Sequence, residues 1–136
     1  MRITVETIVK ASVPQVWQAW NNPDDIVRWN AASDDWHTTR STVDLREGGA
    51  FSARMEARDG SMGFDFAGTY TRVEPQRLIE YVMDDQRAVT VEFSEEAGGV
   101  RVRETFDAEN TFSADQQRQG WQAILDNFAR HVEAKA

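Results

Sequence analysis

Glu104 stands where a carboxylate is least expected. Its neighbours at two-residue spacing are Val100, Val102 and Phe106, so an extended chain puts Glu104 on the apolar side of its strand. A buried carboxylate is costly without a partner, so this side chain needs either an arginine or a donor carried by a ligand. The other reading places it at the end of the sheet, near solvent. A second carboxylate feature depends on a hairpin around Asp59-Gly60. If Met55 faces Phe66 and Phe51 faces Tyr70, Glu56 falls opposite Asp65. Like charges in that arrangement raise one pKa when desolvated, which is how a general acid or base is made. Both carboxylates lie on the face away from the apolar residues, beside Arg54 and Arg58, which favours a solvated pair balanced by arginine. His37 follows Trp36 in a segment with no clear period. A histidine titrates near neutral pH and can shuttle a proton, but no Ser or Cys is set beside it by any motif.

The most abundant chemistry is apolar. Phe51, Ala53 and Met55 share one strand face, as do Phe64, Phe66, Gly68 and Tyr70. With Trp17, Trp29, Trp36, Tyr81, Met83, Phe93 and Trp121 they make either a plain core or a pocket with rigid aromatic walls and a flexible thioether lining. Gly120, inside a helical segment and next to Trp121, either makes room for a ligand or strand or permits close helix–sheet packing.

What is missing narrows the classes further. There is no cysteine, so disulfides, thiolate nucleophiles and thiolate metal sites are excluded. The two histidines, His37 and His131, have no ligand spacing, and no metal is expected. No phosphate loop or dinucleotide fingerprint occurs, so no cofactor is expected. The formal net charge of -8 argues against nucleic acid and against an anionic membrane surface. No apolar run approaches the ~20 residues of a membrane span. The opening MRITVETIVK has the alternation of a strand, not the form of a signal peptide, and a cytoplasmic protein is the expectation.

The positioning elements follow from periodicity and caps. Residues 3–10 alternate as a half-buried strand. Ser12 and Gln15 have capping-box spacing with Pro14 in the first turn, and Val13, Val16, Trp17 and Trp20 form one face of a short helix. Asn22-Pro23-Asp24-Asp25 starts a second short helix with Ile26 and Trp29 inward. Residues 30–39 read as a loop, which should lie near a cavity mouth. Strands are expected near 40–46, 49–58, 63–74, 77–84, 87–95 and 99–107, divided by Gly48-Gly49, Asp59-Gly60, Pro75, Asp84-Asp85 and Gly98-Gly99. Such short breaks imply an antiparallel meander. Ser113 and Gln116 then cap a long helix with Trp121, Ile124, Leu125, Phe128 and Val132 on one stripe.

This order, together with particular stretches, resembles the START-like (SRPBCC) superfamily, in its branch named after the activator of the heat-shock protein 90 ATPase. The stretches are Val16-Trp17, Pro23 to Trp29, Val43 to Gly49, Gly68-Thr69-Tyr70 followed by Val73-Glu74-Pro75, and above all Gly120 to Phe128. Trp29 to His37 and Asp59 to Phe66 are similar to one bacterial subgroup of the branch. The resemblance implies an α+β helix-grip fold: a curved antiparallel sheet, in the order β-α-α-β6-α, wrapped around a long C-terminal helix. It implies one such domain over residues 1–136. The superfamily holds carriers, sensors, cyclases and co-chaperone domains.

The helix-grip architecture often leaves a cavity between sheet and helix, which turns the balance toward a pocket. The expected function is therefore enclosure of a small apolar or aromatic molecule, lined by Trp17, Trp29, Trp36, His37, Phe51, Met55, Phe66, Tyr70, Tyr81, Met83, Phe93, Glu104, Trp121 and Leu125. Two alternatives stand beside it. One is an enzyme of cyclase or hydrolase type using Glu104, His37 or the Glu56–Asp65 pair. The other is a co-chaperone-like domain with a protein partner, for which no residue pattern speaks.

Overall fold

The structure, a computed structural model, describes all 136 residues. The chain runs β1 (Arg2–Val9), α1 (Val13–Asn21), α2 (Pro23–Trp29), β2 (Trp36–Val43), β3 (Ala50–Ala57), β4 (Gly63–Glu74), β5 (Leu78–Met83), β6 (Ala88–Glu96), β7 (Gly99–Asp107) and α3 (Ala114–Lys135). The seven strands form one antiparallel sheet in the order β1-β7-β6-β5-β4-β3-β2, curled into a half-barrel around α3. This is the helix-grip fold. Because β1 and β2 are opposite edges of the sheet, α1 and α2 must carry the chain from one edge to the other. No helix is long and apolar enough to cross a membrane.

The local signals act as expected. The Ser12 hydroxyl accepts from the Gln15 backbone N–H at 3.3 Å, and the Gln15 side chain accepts from Ser12 N–H at 2.9 Å. Ser113 and Gln116 repeat the arrangement at 3.1 and 3.0 Å. Asn22 caps α2 through Asp24 N–H at 3.0 Å. Each cap satisfies helix-end donors that would otherwise be orphaned. The inner face then closes over the α3 stripe: Leu125, Phe128 and Val132 are buried in one cluster with Ile3, Val5, Val91, Val102 and Phe106.

Three expectations need correction. The segment read as a loop to residue 39 becomes strand from Trp36 onward, and the strand expected over 40–46 ends at Val43. A bulge between Thr38 and Arg40 breaks its alternation, and β2 is an edge strand with exposed polar residues, so its period is hidden. The β3–β4 hairpin is shifted by two residues: Met55 pairs with Phe64, Phe51 with Gly68, and Arg54 with Asp65. The Asp59 carboxylate accepts from Ser61 N–H and Oγ–H, and Gly60 sits at φ 79°, which centres the turn on Asp59-Gly60. A shift of two keeps every side chain on its face, so the inward set survives. The facing carboxylates do not: Glu56 pairs with Gly63, and Arg54 holds both Glu56 at 3.1 Å and Asp65 at 3.5 Å. Finally, a Cβ on Gly120 would meet nothing within 4 Å, so neither tight packing nor a seated strand explains that glycine.

Candidate functional site

A cavity of about 100 Å³ lies between the inner face of the sheet and the helices. Strand alternation builds its floor. On β7, Val100, Val102, Glu104 and Phe106 point inward, and Glu104 lies between Val5 of β1 and Val91 of β6. Ile79 and Tyr81 of β5, Phe66 and Tyr70 of β4, and Phe51, Ala53 and Met55 of β3 continue the lining. Gly68 permits this arrangement, because a Cβ there would come within 3.0 Å of the Phe51 ring and 2.6 Å of the Val82 carbonyl. Phe51 thus lies edge-on to Tyr81 at 4.7 Å and tilted over Tyr70 at 5.3 Å. From α3, Trp121 and Ile124 close the roof, with Trp121 stacked on Phe106 at 3.9 Å. Trp29 of α2 adds a wall whose Nε1–H donates to the Ala19 carbonyl at 3.0 Å, so only its ring is left to face the cavity. Thr42 is exposed and Asn21, Asn30, Ser41 and Ser52 are half-buried, so the cavity opens to solvent between α2 and strands β2 and β3.

Glu104 is the one charged group in the lining, and no Lys, Arg or His accompanies it. It is 6% exposed. Its carboxyl makes no hydrogen bond or ion pair with the protein, and burial pushes its pKa up to about 8. Every side-chain oxygen or nitrogen that is fully shut off from solvent has a hydrogen-bond partner. The unpartnered Glu104 carboxyl must therefore open onto the cavity it lines. The nearby arginines, Arg101 and Arg103, alternate to the outer face, where they engage Glu6. Tyr81 and Tyr70 bring phenols to the same lining. Burial raises Tyr81 well above its usual value, with Glu104 adding to the effect, and burial followed by the Asp44 charge pushes Tyr70 up to about 12.

The cavity gathers Trp29, Phe51, Met55, Phe66, Tyr70, Tyr81, Glu104 and Trp121 from the residues expected to line it. It leaves out six. Trp17 lies edge-on to Phe93 at 5.3 Å, and both belong to the packed end under α1. Leu125 and Met83 are core residues, 0% and 4% exposed. Trp36 packs on Phe64 at 5.8 Å, and His37 pairs with Glu56 in register, both outside the lining. They lie on the edge strand rather than in a loop at the cavity mouth. Trp20, Ile26, Val43, Ile79 and Ile124 line the cavity without having been expected there, beside Ala53 on the face it shares with Phe51 and Met55. Trp20, Ile26 and Ile124 already stood on the apolar stripes of their helices, and that signal pointed to them. Trp20 also wedges against Trp29 at 5.0 Å, Phe128 at 4.9 Å and Phe93 at 5.9 Å, so it separates the filled end of the half-barrel from the open one.

The family model described as Activator of Hsp90 ATPase homolog 1-like protein matches residues 10–133. An AHSA1-like protein from Aeromonas hydrophila, solved by solution NMR, is 56% identical over 99% of this chain and 94% of its own, with a TM-score of 0.93. A protein from Cytophaga hutchinsonii is 42% identical over 98% of this chain and 93% of its own, with a TM-score of 0.85. A protein from Chromobacterium violaceum shares the fold at a TM-score of 0.88 with 20% identity, covering 98% of each chain. No curated protein matches the chain. The match over nearly the whole length, with the half-barrel closed on a long C-terminal helix, establishes that this chain belongs to the family of activator of heat-shock protein 90 ATPase-like proteins, within the START-like superfamily.

Proposed function

We propose that this protein encloses a small, largely apolar molecule between its sheet and its C-terminal helix. The observation that carries the reading is the cavity of about 100 Å³, walled chiefly by aromatic and aliphatic side chains and opening at a polar rim. An apolar cavity of about 150 Å³ holds benzene; this one is smaller but open at its rim, so it suits a short chain or a single ring that reaches into the mouth. Burying such a ligand releases roughly 25 cal/mol for each Å² of apolar surface removed from water. An enzyme of cyclase or hydrolase type would rest on Glu104 and its phenol neighbours, since His37, Glu56 and Asp65 lie outside the cavity.

Toluene, titrated while the backbone amide resonances are followed by NMR, tests the reading. Saturable shifts confined to residues around Ala53, Tyr81, Glu104 and Trp121 are expected. Ala53, 4% exposed on the cavity wall, is the place to fill it. Ala53→Leu should abolish the shifts in a protein that keeps its dispersed spectrum. Toluene binding that is absent in the parent, or unchanged in folded Ala53→Leu, overturns the proposal.

A further inference from the structure

We propose that the ligand is a cation: a small alkyl- or arylalkylamine whose ammonium group pairs with the Glu104 carboxylate while its apolar body fills the aromatic cavity. The inference deepens the reading of the cavity as a ligand site and rests on it. Glu104 sits mid-strand in the floor, 6% exposed, with no protein donor and no basic residue anywhere in the lining. A carboxylate so placed is an uncompensated charge, which a protein ordinarily matches with an arginine or removes. Here the outward arginines of the same strand are occupied by Glu6 and Glu96. Nothing in the fold holds Glu104 ionised, so only a cation entering the cavity would stabilise its carboxylate form.

The surroundings fit the same ligand. Trp29, Phe51, Phe66 and Trp121 line the cavity, and an aromatic ring attracts an ammonium over its face as well as an apolar body beside it. A carboxylate ligand meets like charge where Glu104 is ionised, and the lining offers no Lys, Arg or His to match its own buried charge where Glu104 is protonated. A neutral alcohol gains a hydrogen bond but leaves the charge unmatched. The remaining titratable groups of the lining are Tyr70 and Tyr81, both pushed above their usual range, and no others face Glu104 from α2, α3, β1, β2, β3 or β6. With Glu104 titrating at about 8, an ammonium that pairs with its carboxylate displaces one proton from it below that pH. Amine affinity then rises about tenfold from pH 6 to pH 7, about fivefold from pH 7 to pH 8, and levels above.

Benzylamine, benzyl alcohol and toluene, titrated by NMR at pH 6, 7 and 8 against the parent and Glu104→Gln, decide the matter. Benzylamine should bind the parent at pH 8 at least about tenfold more tightly than benzyl alcohol, as a charge-assisted hydrogen bond implies. That preference should shrink as pH falls and vanish in Glu104→Gln, while toluene binds both proteins alike. Proton release on benzylamine binding to the parent, measured calorimetrically in two buffers at pH 7, gives the same answer without the variant. Toluene binding with no amine preference, or a preference that survives Glu104→Gln, overturns the inference and leaves the cavity reading standing. Failure of all three probes removes both.

Discussion

Replacing Glu104 by glutamine keeps the shape of the side chain and deletes the one carboxyl that lines the cavity. The consequence for stability can be worked out from burial alone. In the unfolded chain the carboxyl titrates near its ordinary value of 4.5; in the fold it titrates at about 8. The folded pKa is the higher one, so the folded state binds more protons between these values, and stability falls as pH rises through the window. Below 4.5 both states are neutral and no penalty exists; above 8 both are ionised and the penalty is complete. Within the window the slope is about 1.4 kcal/mol per pH unit. At pH 5 the penalty is still below ~1 kcal/mol, and at pH 7.5 it reaches roughly 4 kcal/mol, a large share of the total stability of an ordinary domain. The amide that Glu104→Gln introduces has its own desolvation cost, but that cost does not change with pH. The difference in unfolding free energy, variant minus parent, should therefore climb by about 3 kcal/mol between pH 5 and pH 7.5. Urea denaturation of both proteins across this range, followed by tryptophan fluorescence, measures it. A difference that stays flat would show that Glu104 is solvated in solution. One that falls with pH would show that a cation reaches it, and either outcome refutes the reasoning.

Gly120→Ala should raise stability by about 0.5–1 kcal/mol, since the new methyl meets open space and helix propensity improves; a lowered thermal midpoint would reveal a contact at that position. Phe128→Ala should cost about 3–5 kcal/mol in urea denaturation, because the ring is 0% exposed and lies edge-on to both Trp20 and Trp29 at 4.9 Å. Asp25, 4% exposed, accepts from His131 Nε2–H at 2.8 Å and Lys135 Nζ at 2.6 Å, tying α2 to the end of α3. Burial pushes its pKa up, but the bonds and charges of Lys135 and His131 outweigh that and hold it below 3.8. Its contribution is thus present above pH 3.8 and lost as pH falls through the lower folded value. Asp25→Ala should cost about 1.5–3 kcal/mol near neutrality, with the gap to the parent closing under acid conditions; a gap that persists there would mean that packing, not charge, is what the variant loses.

Whatever depends on a residue's near neighbours along the chain could be read before any fold was known. Alternation placed Glu104 on the inner face with Val102 and Phe106, and Phe51 with Met55, because side-chain direction in a strand repeats every two residues whatever the strand pairs with. The capping boxes at Ser12 and Ser113 and the Leu125–Phe128–Val132 stripe are equally local, and so were legible. Which elements meet depends on contacts between residues distant in the chain. Trp17 and Trp20 share one helical face, yet Trp17 is absorbed against Phe93 and Trp20 borders the cavity, a difference set by where α1 crosses β6. His37 left the expected pocket mouth because a bulged polar edge strand shows no period. The facing carboxylates separated because one side-chain-braced turn moved the hairpin by two residues. Above all, whether an arginine meets Glu104 is a question about residues far away in the chain. No local pattern encodes the answer, because a buried charge is matched through space, by whatever the fold brings to it.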